Sequence, residues 1–144
     1  KTYLFETLAG KYEKTLSVGV GNCCALNKQH ESYGSAKIAV QSLTADSNIA
    51  FFDNLDLEIL LGNVSESAQK RYLQKTTGSL SMEDIEILKV YYSTNMSLKE
   101  TAKQLFIHKN TLQYKLNRIG KLSGYNPRLF RDAVSLYLAT MLDK

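Results

Sequence analysis

The sequence has few of the residues that rigidify or cross-link a chain. Its 144 residues include one proline, eight glycines, two cysteines and no tryptophan. Because 44% of the residues are hydrophobic, this composition excludes a disordered, collagen-like or disulfide-stapled protein. Cys23 and Cys24 are adjacent, a spacing that strains a mutual disulfide, and they lack the companion residues of a zinc site. We therefore expect both thiols to be reduced.

Long apolar segments are also missing. No uninterrupted apolar run exceeds four residues, which is far too short to span a membrane. No basic segment followed by an apolar stretch and a cleavage site opens the chain. We therefore expect a cytoplasmic protein with no membrane partner. Since the first residue is Lys1 rather than a methionine, we also expect the chain to be part of a longer protein.

The sequence is poor in catalytic chemistry as well. Its only histidines are His30 and His108, so it lacks the convergent acids, bases or ligands that an enzyme needs. His30 is followed by Glu31, but not by the second histidine of a zinc hydrolase. We therefore expect no catalytic residues, no metal site and no cofactor.

What the sequence does contain is an uneven distribution of charge. Residues 1–80 have eight basic and eight acidic residues, whereas residues 81–144 have ten and six, which accounts for the net charge of +4. Between residues 99 and 131 there is one acidic residue, Glu100, and eight basic ones: Lys99, Lys103, Lys109, Lys115, Arg118, Lys121, Arg128 and Arg131. This concentration favours a polyanionic partner. The alternative is a basic face that meets only solvent.

The first half of the chain predicts a small α/β segment. Residues 16–21 and 49–52 have the patterns of short strands, and residues 30–44 between them have helical spacing. Further helices are predicted at residues 1–14, 57–61 and 65–76. The order strand, helix, strand indicates a βαβ or ferredoxin-like element. Because two strands cannot shield a sheet by themselves, we expect this half to be incomplete.

The second half of the chain has an entirely helical pattern. Four helices are predicted, and they start at Ser81, at Ser97, near His108 and after Pro127. Ser97 and Glu100 have the spacing of a capping box, in which each residue's side chain accepts a hydrogen bond from the other's backbone N–H. The fold class is therefore α+β, with one domain at residues 1–78 and an all-α domain at residues 79–144.

The second and third of these helices have the spacing of a helix-turn-helix. About three residues separate them, as that motif requires. Ala102 supplies the small residue needed where the helices cross, and the packing contacts on both sides come from Leu105, Ile107, Leu112 and Leu116. Phe106 stands where many helix-turn-helix proteins have glycine, so we expect a turn without a left-handed glycine. An ordinary amphipathic hairpin is the alternative.

The polar residues of the third helix form the candidate DNA-binding site. Once the apolar stripe is removed, they are His108, Lys109, Asn110, Thr111, Gln113, Tyr114, Lys115, Asn117, Arg118 and Lys121. We predict that Lys109, Asn110 and Gln113 read base edges. Contacts to the DNA backbone are predicted for His108, Thr111, Tyr114 and Lys115. At the helix start, His108 either caps the helix or donates to a phosphate.

The same segment carries a family resemblance. The run His108-Lys109-Asn110-Thr111-Leu112, followed by Tyr114-Lys115-Leu116, resembles the C-terminal DNA-binding domain of PucR/CdaR-type transcriptional regulators. Residues 101–119, Leu122-x-Gly124-Tyr125 and the helix at residues 132–139 extend this resemblance, and the motif is also similar to the Fis-like helix-turn-helix. Residues 16–21, Ser32-Tyr33-x-x-Ala36, residues 50–55 and residues 60–61 resemble the later part of the GGDEF-like domain that precedes this module in such regulators.

The resemblance implies a sequence-specific DNA-binding transcriptional regulator that reads the major groove with the helix starting near His108. It implies double-stranded DNA as the partner and a small-molecule effector bound by a sensor upstream of Lys1. In the related diguanylate cyclases, the nucleotide and metal residues lie on a hairpin that would precede residue 1. Because one helix-turn-helix reads half of a symmetric operator, we also expect a homodimer. The alternative is a sensory or protein-interaction fragment that dimerises without binding DNA directly.

Overall fold

The computed structural model describes residues 16–43 and 48–143. The chain divides into two compact units, residues 1–64 and residues 65–144. The helix predicted at residues 1–14 lies outside the described residues. Within the described ranges, no helix combines the length and the apolar character needed to cross a membrane.

The first unit contains the predicted strand, helix and strand. Strands β1 (Val18–Val20) and β2 (Ile49–Phe51) pair in parallel. Helix α1 (Gln29–Gln41) lies between them in the chain and packs against β1, and α2 (Leu57–Gly62) packs against α1. These elements confirm the α+β class and the predicted positions of the strands. The assignment to a ferredoxin-like, GGDEF-like domain stays a prediction.

A glycine permits the close contact between α1 and β1. A side chain at Gly19 would overlap the carbonyl oxygen of Ala36 and the side chain of Val40. Opposite this strand, Ala39 is fully buried on α1. Small residues on both elements therefore let the helix lie directly on the strand.

The second unit is built from five helices. They are α3 (Glu66–Thr76), α4 (Met82–Ser93), α5 (Leu98–Gln104), α6 (Lys109–Ser123) and α7 (Phe130–Leu142). Helix α7 packs against α3 and α4, while α5 packs against α4 and α6. One apolar core joins four of these helices, and its buried members are Ile87, Leu88, Tyr91, Ala102, Leu112, Leu116, Ile119 and Leu136. The predicted helical packing residues Ala102, Leu112 and Leu116 are thus confirmed.

Helix α3 belongs to this second unit. The Tyr72 hydroxyl donates a hydrogen bond to the carbonyl oxygen of Ser135 on α7 at 3.0 Å, and Thr76 is buried. The boundary between the compact units therefore lies between residues 64 and 65 of the sequence. This is earlier in the chain than the domain boundary that we predict after residue 78. The division into functional domains at residues 1–78 and 79–144 stays a prediction.

The helix caps agree with the sequence at α4 and differ at α5. The Ser81 side chain accepts from the backbone N–H of Asp84, and the Asp84 carboxylate accepts from that of Ser81, which completes a capping box. At α5, the Ser97 hydroxyl accepts from the Glu100 N–H at 3.4 Å. The Ser97 N–H, however, donates to the carbonyl oxygen of Thr94 at 3.1 Å. The predicted return bond from Ser97 to Glu100 is therefore wrong, because its donor is already used.

The turn between α5 and α6 depends on Phe106. This residue has a left-handed φ of +53°, and its side chain is 96% exposed. The Ile107 N–H donates to the Ala102 carbonyl at 3.0 Å and the Phe106 N–H to the Lys103 carbonyl at 3.3 Å, the two bonds of a Schellman motif. The turn lacks glycine, as predicted, and a phenylalanine takes the conformation that glycine favours.

Glycine at position 106 is expected to stabilise the fold. A left-handed conformation costs an L-residue roughly 1–2 kcal/mol, and glycine avoids this cost. Glycine, however, loses more backbone entropy on folding, which offsets about 0.5–1 kcal/mol of the gain. We expect Phe106→Gly to raise the free energy of unfolding in urea by about 0.5–1 kcal/mol. Phe106→Ala is the matched control, because it removes the same exposed ring and keeps the Cβ atom. Equal stability of the two variants would contradict strain at this residue.

Candidate nucleic-acid interface

Helix α6 has one face in the core and the opposite face in solvent. Leu112, Leu116 and Ile119 are buried, whereas the exposed members of the predicted site are His108, Lys109, Asn110, Thr111, Tyr114, Asn117 and Lys121. Gln113, Lys115 and Arg118 are partly buried. The structure therefore brings the predicted site residues together on one helix and its N-cap, with their side chains on different sides of that helix.

His108 caps α6. Its Nδ1 atom accepts a hydrogen bond from the backbone N–H of Asn110 at 3.2 Å. Of the two roles predicted for this residue, the cap is the one present in the structure. Because Nδ1 is the acceptor, the neutral ring carries its proton on Nε2. The exposed ring thus retains one donor.

Two of the predicted DNA-binding cations form ion pairs with α4. The Arg118 Nη2 atom donates to Asp84 Oδ1 at 2.5 Å, and the Asp84 side chain is only 2% exposed. The Lys115 Nζ atom donates to Glu83 Oε1 at 2.6 Å. These contacts direct both cations toward carboxylates of α4. Lys115 and Arg118 are therefore less available to a polyanion than their positions in the sequence indicate.

The Asp84 carboxylate is buried and charged. Burial raises the pKa of this carboxyl, but hydrogen bonds from Arg118 and Ser81, together with the positive charge of Arg118, outweigh burial and hold the pKa below its ordinary value. The hydrogen bond to Asp84 in turn raises the pKa of Arg118. Both groups are consequently ionised at neutral pH. The same carboxylate therefore completes the capping box of α4 and binds Arg118 of α6.

Arg128 is a residue of this surface that the sequence did not assign to the site. It follows Pro127 in the segment between α6 and α7, and its Nη1 atom donates to Asn117 Oδ1 at 2.9 Å. Its Nη2 atom donates to the carbonyl oxygen of Gln113 at 3.4 Å. The positive charge of Arg128 is visible in the sequence. Its contact with Asn117 is not, because eleven residues and a helix end separate the two.

Other cations of the second unit remain available to an anionic partner. Among the described residues, none of the carboxylates forms an ion pair with Lys99, Lys103, Lys109, Lys121 or Arg131. All five are exposed. Two lie on α5, two on α6 and one on α7. The basic segment predicted from the sequence thus contains positive charge that the described part of the chain does not neutralise.

Comparison with known proteins identifies the helical region. Residues 85–142 match the PucR C-terminal helix-turn-helix domain. The chain is 32% identical to the carbohydrate diacid regulator of Escherichia coli (strain K12), over 78% of this chain and 31% of that protein. It is 28% identical to the purine catabolism regulatory protein of Bacillus subtilis (strain 168), over 97% of this chain and 28% of that protein. The chain therefore spans less than a third of the length of these two relatives.

A solved structure supports the same assignment. The crystal structure of a regulator of polyketide synthase expression from Bifidobacterium adolescentis matches with a TM-score of 0.50 and 26% sequence identity, over 77% of this chain and 47% of that one. The relatives named here are all described as regulators, in agreement with the expectation that the chain is not an enzyme. Residues 85–142, which contain most of α4 and all of α5 to α7, thus match the PucR C-terminal helix-turn-helix domain.

Proposed function

We propose that the chain is the DNA-binding part of a transcriptional regulator and reads a specific duplex sequence with α6 in the major groove. The observation that carries this proposal is the polar, exposed face of α6 on a helix-turn-helix core, where Lys109 and Lys121 form no ion pair with any described residue. A helix of this kind enters the major groove with its N-terminal residues next to base edges. The relatives named as regulators support the same function.

The proposal assigns different roles along α6. Lys109, Asn110 and Gln113 lie in its first turn and a half, where a lysine donates to guanine and a glutamine pairs with adenine. His108, through Nε2, and the exposed Thr111 and Tyr114 contact the DNA backbone. Lys115 and Arg118 act mainly by holding α6 against α4, since both are ion-paired there.

We further propose that the regulator binds its operator as a homodimer, because one helix-turn-helix reads only half of a symmetric site. Phe130 and Val134 are exposed apolar residues one turn apart on α7 and offer a surface for the second copy. The parallel strands β1 and β2, with α1 between them in the chain, are compatible with the later part of a GGDEF-like domain. In this proposal a small-molecule effector binds elsewhere in the regulator. The regulator acts in the cytoplasm, the compartment that contains its operator DNA.

Base reading by Gln113 is testable by substitution. The preferred duplex is first identified by selecting, from a randomised pool, the sequences that the wild-type chain binds. We expect Gln113→Ala to weaken binding to that duplex by about 1–3 kcal/mol and to leave binding to a scrambled duplex nearly unchanged. Lys121→Ala is the control, since loss of a phosphate contact weakens both complexes alike. Equal losses on both duplexes for Gln113→Ala would show that this side of α6 does not face the bases.

A further inference from the structure

The orientation of one exposed side chain on α6 is set by its neighbour. Asn117 Oδ1 accepts from Arg128 Nη1 at 2.9 Å. An arginine guanidinium has only donors, so the amide oxygen of Asn117 must face Arg128. The amide nitrogen then lies on the other side of the group, with its donors unused by this contact. Asn117 is therefore held as a hydrogen-bond donor toward its surroundings.

The chain fixes Arg128 in place on the other side of this contact. Its Nη2 atom donates to the Gln113 carbonyl at 3.4 Å, and its backbone N–H donates to Asn126 Oδ1 at 3.0 Å. The Asn126 N–H is in turn bound by Asp132 Oδ2 at 2.9 Å. Within residues 16–43 and 48–143, Arg128 forms no ion pair with a carboxylate. Its guanidinium also forms a hydrogen bond with the Tyr91 side chain, so several contacts hold this positive charge next to Asn117.

We infer that Arg128 is a positioning residue that makes Asn117 select guanine. The inference rests on the proposed function, because it requires α6 to lie in the major groove. An unrestrained asparagine pairs with adenine, accepting from N6 through its oxygen and donating to N7 through its nitrogen. Because Oδ1 is turned toward Arg128, the groups that Asn117 directs outward are the two N–H donors of its amide. Guanine presents two acceptors, O6 and N7, in the same groove and is the base that matches.

Position also favours such a contact. Asn117 lies one turn after Gln113 on α6, so the two side chains project from the same side of the helix. Both Asn117 and Arg128 are exposed. When Gln113 contacts one base pair in the groove, Asn117 is therefore within reach of a neighbouring base pair. We expect one position of the selected duplex to be set by Asn117 and Arg128 together.

The test is a selection from a randomised duplex pool with sequencing of the bound fraction, using the full chain. The wild type is expected to enrich guanine at one position that responds to Asn117. Arg128→Ala frees the amide and is expected to reduce this guanine preference about tenfold, with adenine gaining at the same position and the other positions unchanged. Arg131→Ala is the matched control, since it removes an equal charge from an exposed residue without a hydrogen bond to α6. It is expected to lower affinity and to keep the selected sequence.

A second variant tests the direction of the hydrogen bonds. Asn117→Asp keeps the shape of the side chain and the bond from Arg128, but it places an acceptor where the wild type has donors. We expect the preference at this position to move from guanine to cytosine, whose N4 group donates. Because Asn117 is exposed, we expect Asn117→Asp to fold. This variant therefore tests the selection of guanine even if Arg128→Ala unfolds.

The two hypotheses fail in different ways. Absence of any enriched sequence with the wild-type chain would contradict the proposed function itself. An enriched sequence that is identical for the wild type, Arg128→Ala and Asn117→Asp would overturn the role of Arg128 and leave the proposed function standing. Thermal unfolding of each variant checks that the proteins compared are folded.

Discussion

Replacing Asp84 with alanine is expected to lower the free energy of unfolding by about 3 kcal/mol. The substitution removes the capping box at the start of α4 and takes from Arg118 the buried carboxylate to which it is bound. Urea unfolding measures the loss. Glu86→Ala is the matched control on the same helix, where an exposed residue is replaced and a change within about 0.5 kcal/mol is expected. Similar values for the two variants would contradict the importance of the Asp84 contacts.

The same carboxylate makes the stability depend on pH. The pKa of Asp84 in the folded protein lies below its ordinary value of 3.8. Its contribution is therefore fully present above the pKa of the unfolded chain and is lost as the pH falls through that value toward the folded pKa. We expect the stability difference between the wild type and Asp84→Ala to be constant near neutral pH and to shrink below about pH 4. A difference that grew on acidification would reverse the sign of this argument.

The sequence predicted the elements well because their signals are local. Apolar spacing located β1, β2 and the buried face of α6, and serine residues marked the starts of α4 and α5. The short separation between α5 and α6 indicated the helix-turn-helix. Even the unusual turn at Phe106 was visible as the lack of a glycine, although only the structure places Phe106 itself in the left-handed conformation.

The contacts that set the roles of individual side chains were not visible. Lys115 and Glu83 are 32 residues apart, and Arg118 and Asp84 are 34 apart. Composition therefore counted both cations as available, and only the packing of α4 on α6 determines which ones are paired. Arg128 is a similar case, because the loop after Pro127 decides whether its side chain returns to α6. Local capping also misled at Ser97, whose N–H is used by the preceding turn.

The second large effect expected is on DNA affinity at increasing salt. A protein that makes about four phosphate contacts releases the corresponding counterions, so the slope of log K against log salt is about −3 to −4. Raising the salt from about 50 to 200 mM is then expected to weaken binding roughly a hundredfold. Lys109 and Lys121 are exposed and unpaired among the described residues. They are therefore our first candidates for the cations that displace counterions, Lys109 next to the base edges and Lys121 at the DNA backbone, ahead of Lys115 and Arg118.

Matched substitutions locate the effect on α6. Each of Lys109→Ala and Lys121→Ala is expected to reduce the slope by about one. Lys37→Ala removes an equal charge from α1 in the first unit and is expected to leave the slope unchanged. A loss of affinity that was the same for all three variants would indicate a response to net charge and not a contact made by α6.

The most direct test of DNA binding is a titration of one defined duplex with the full chain. Binding is measured by fluorescence anisotropy at a series of salt concentrations. The account predicts a linear plot with a slope of about −3 to −4 for the wild type, and a slope smaller by about two for the Lys109→Ala, Lys121→Ala double variant. A wild-type slope near zero, or a double variant indistinguishable from the wild type, would contradict it.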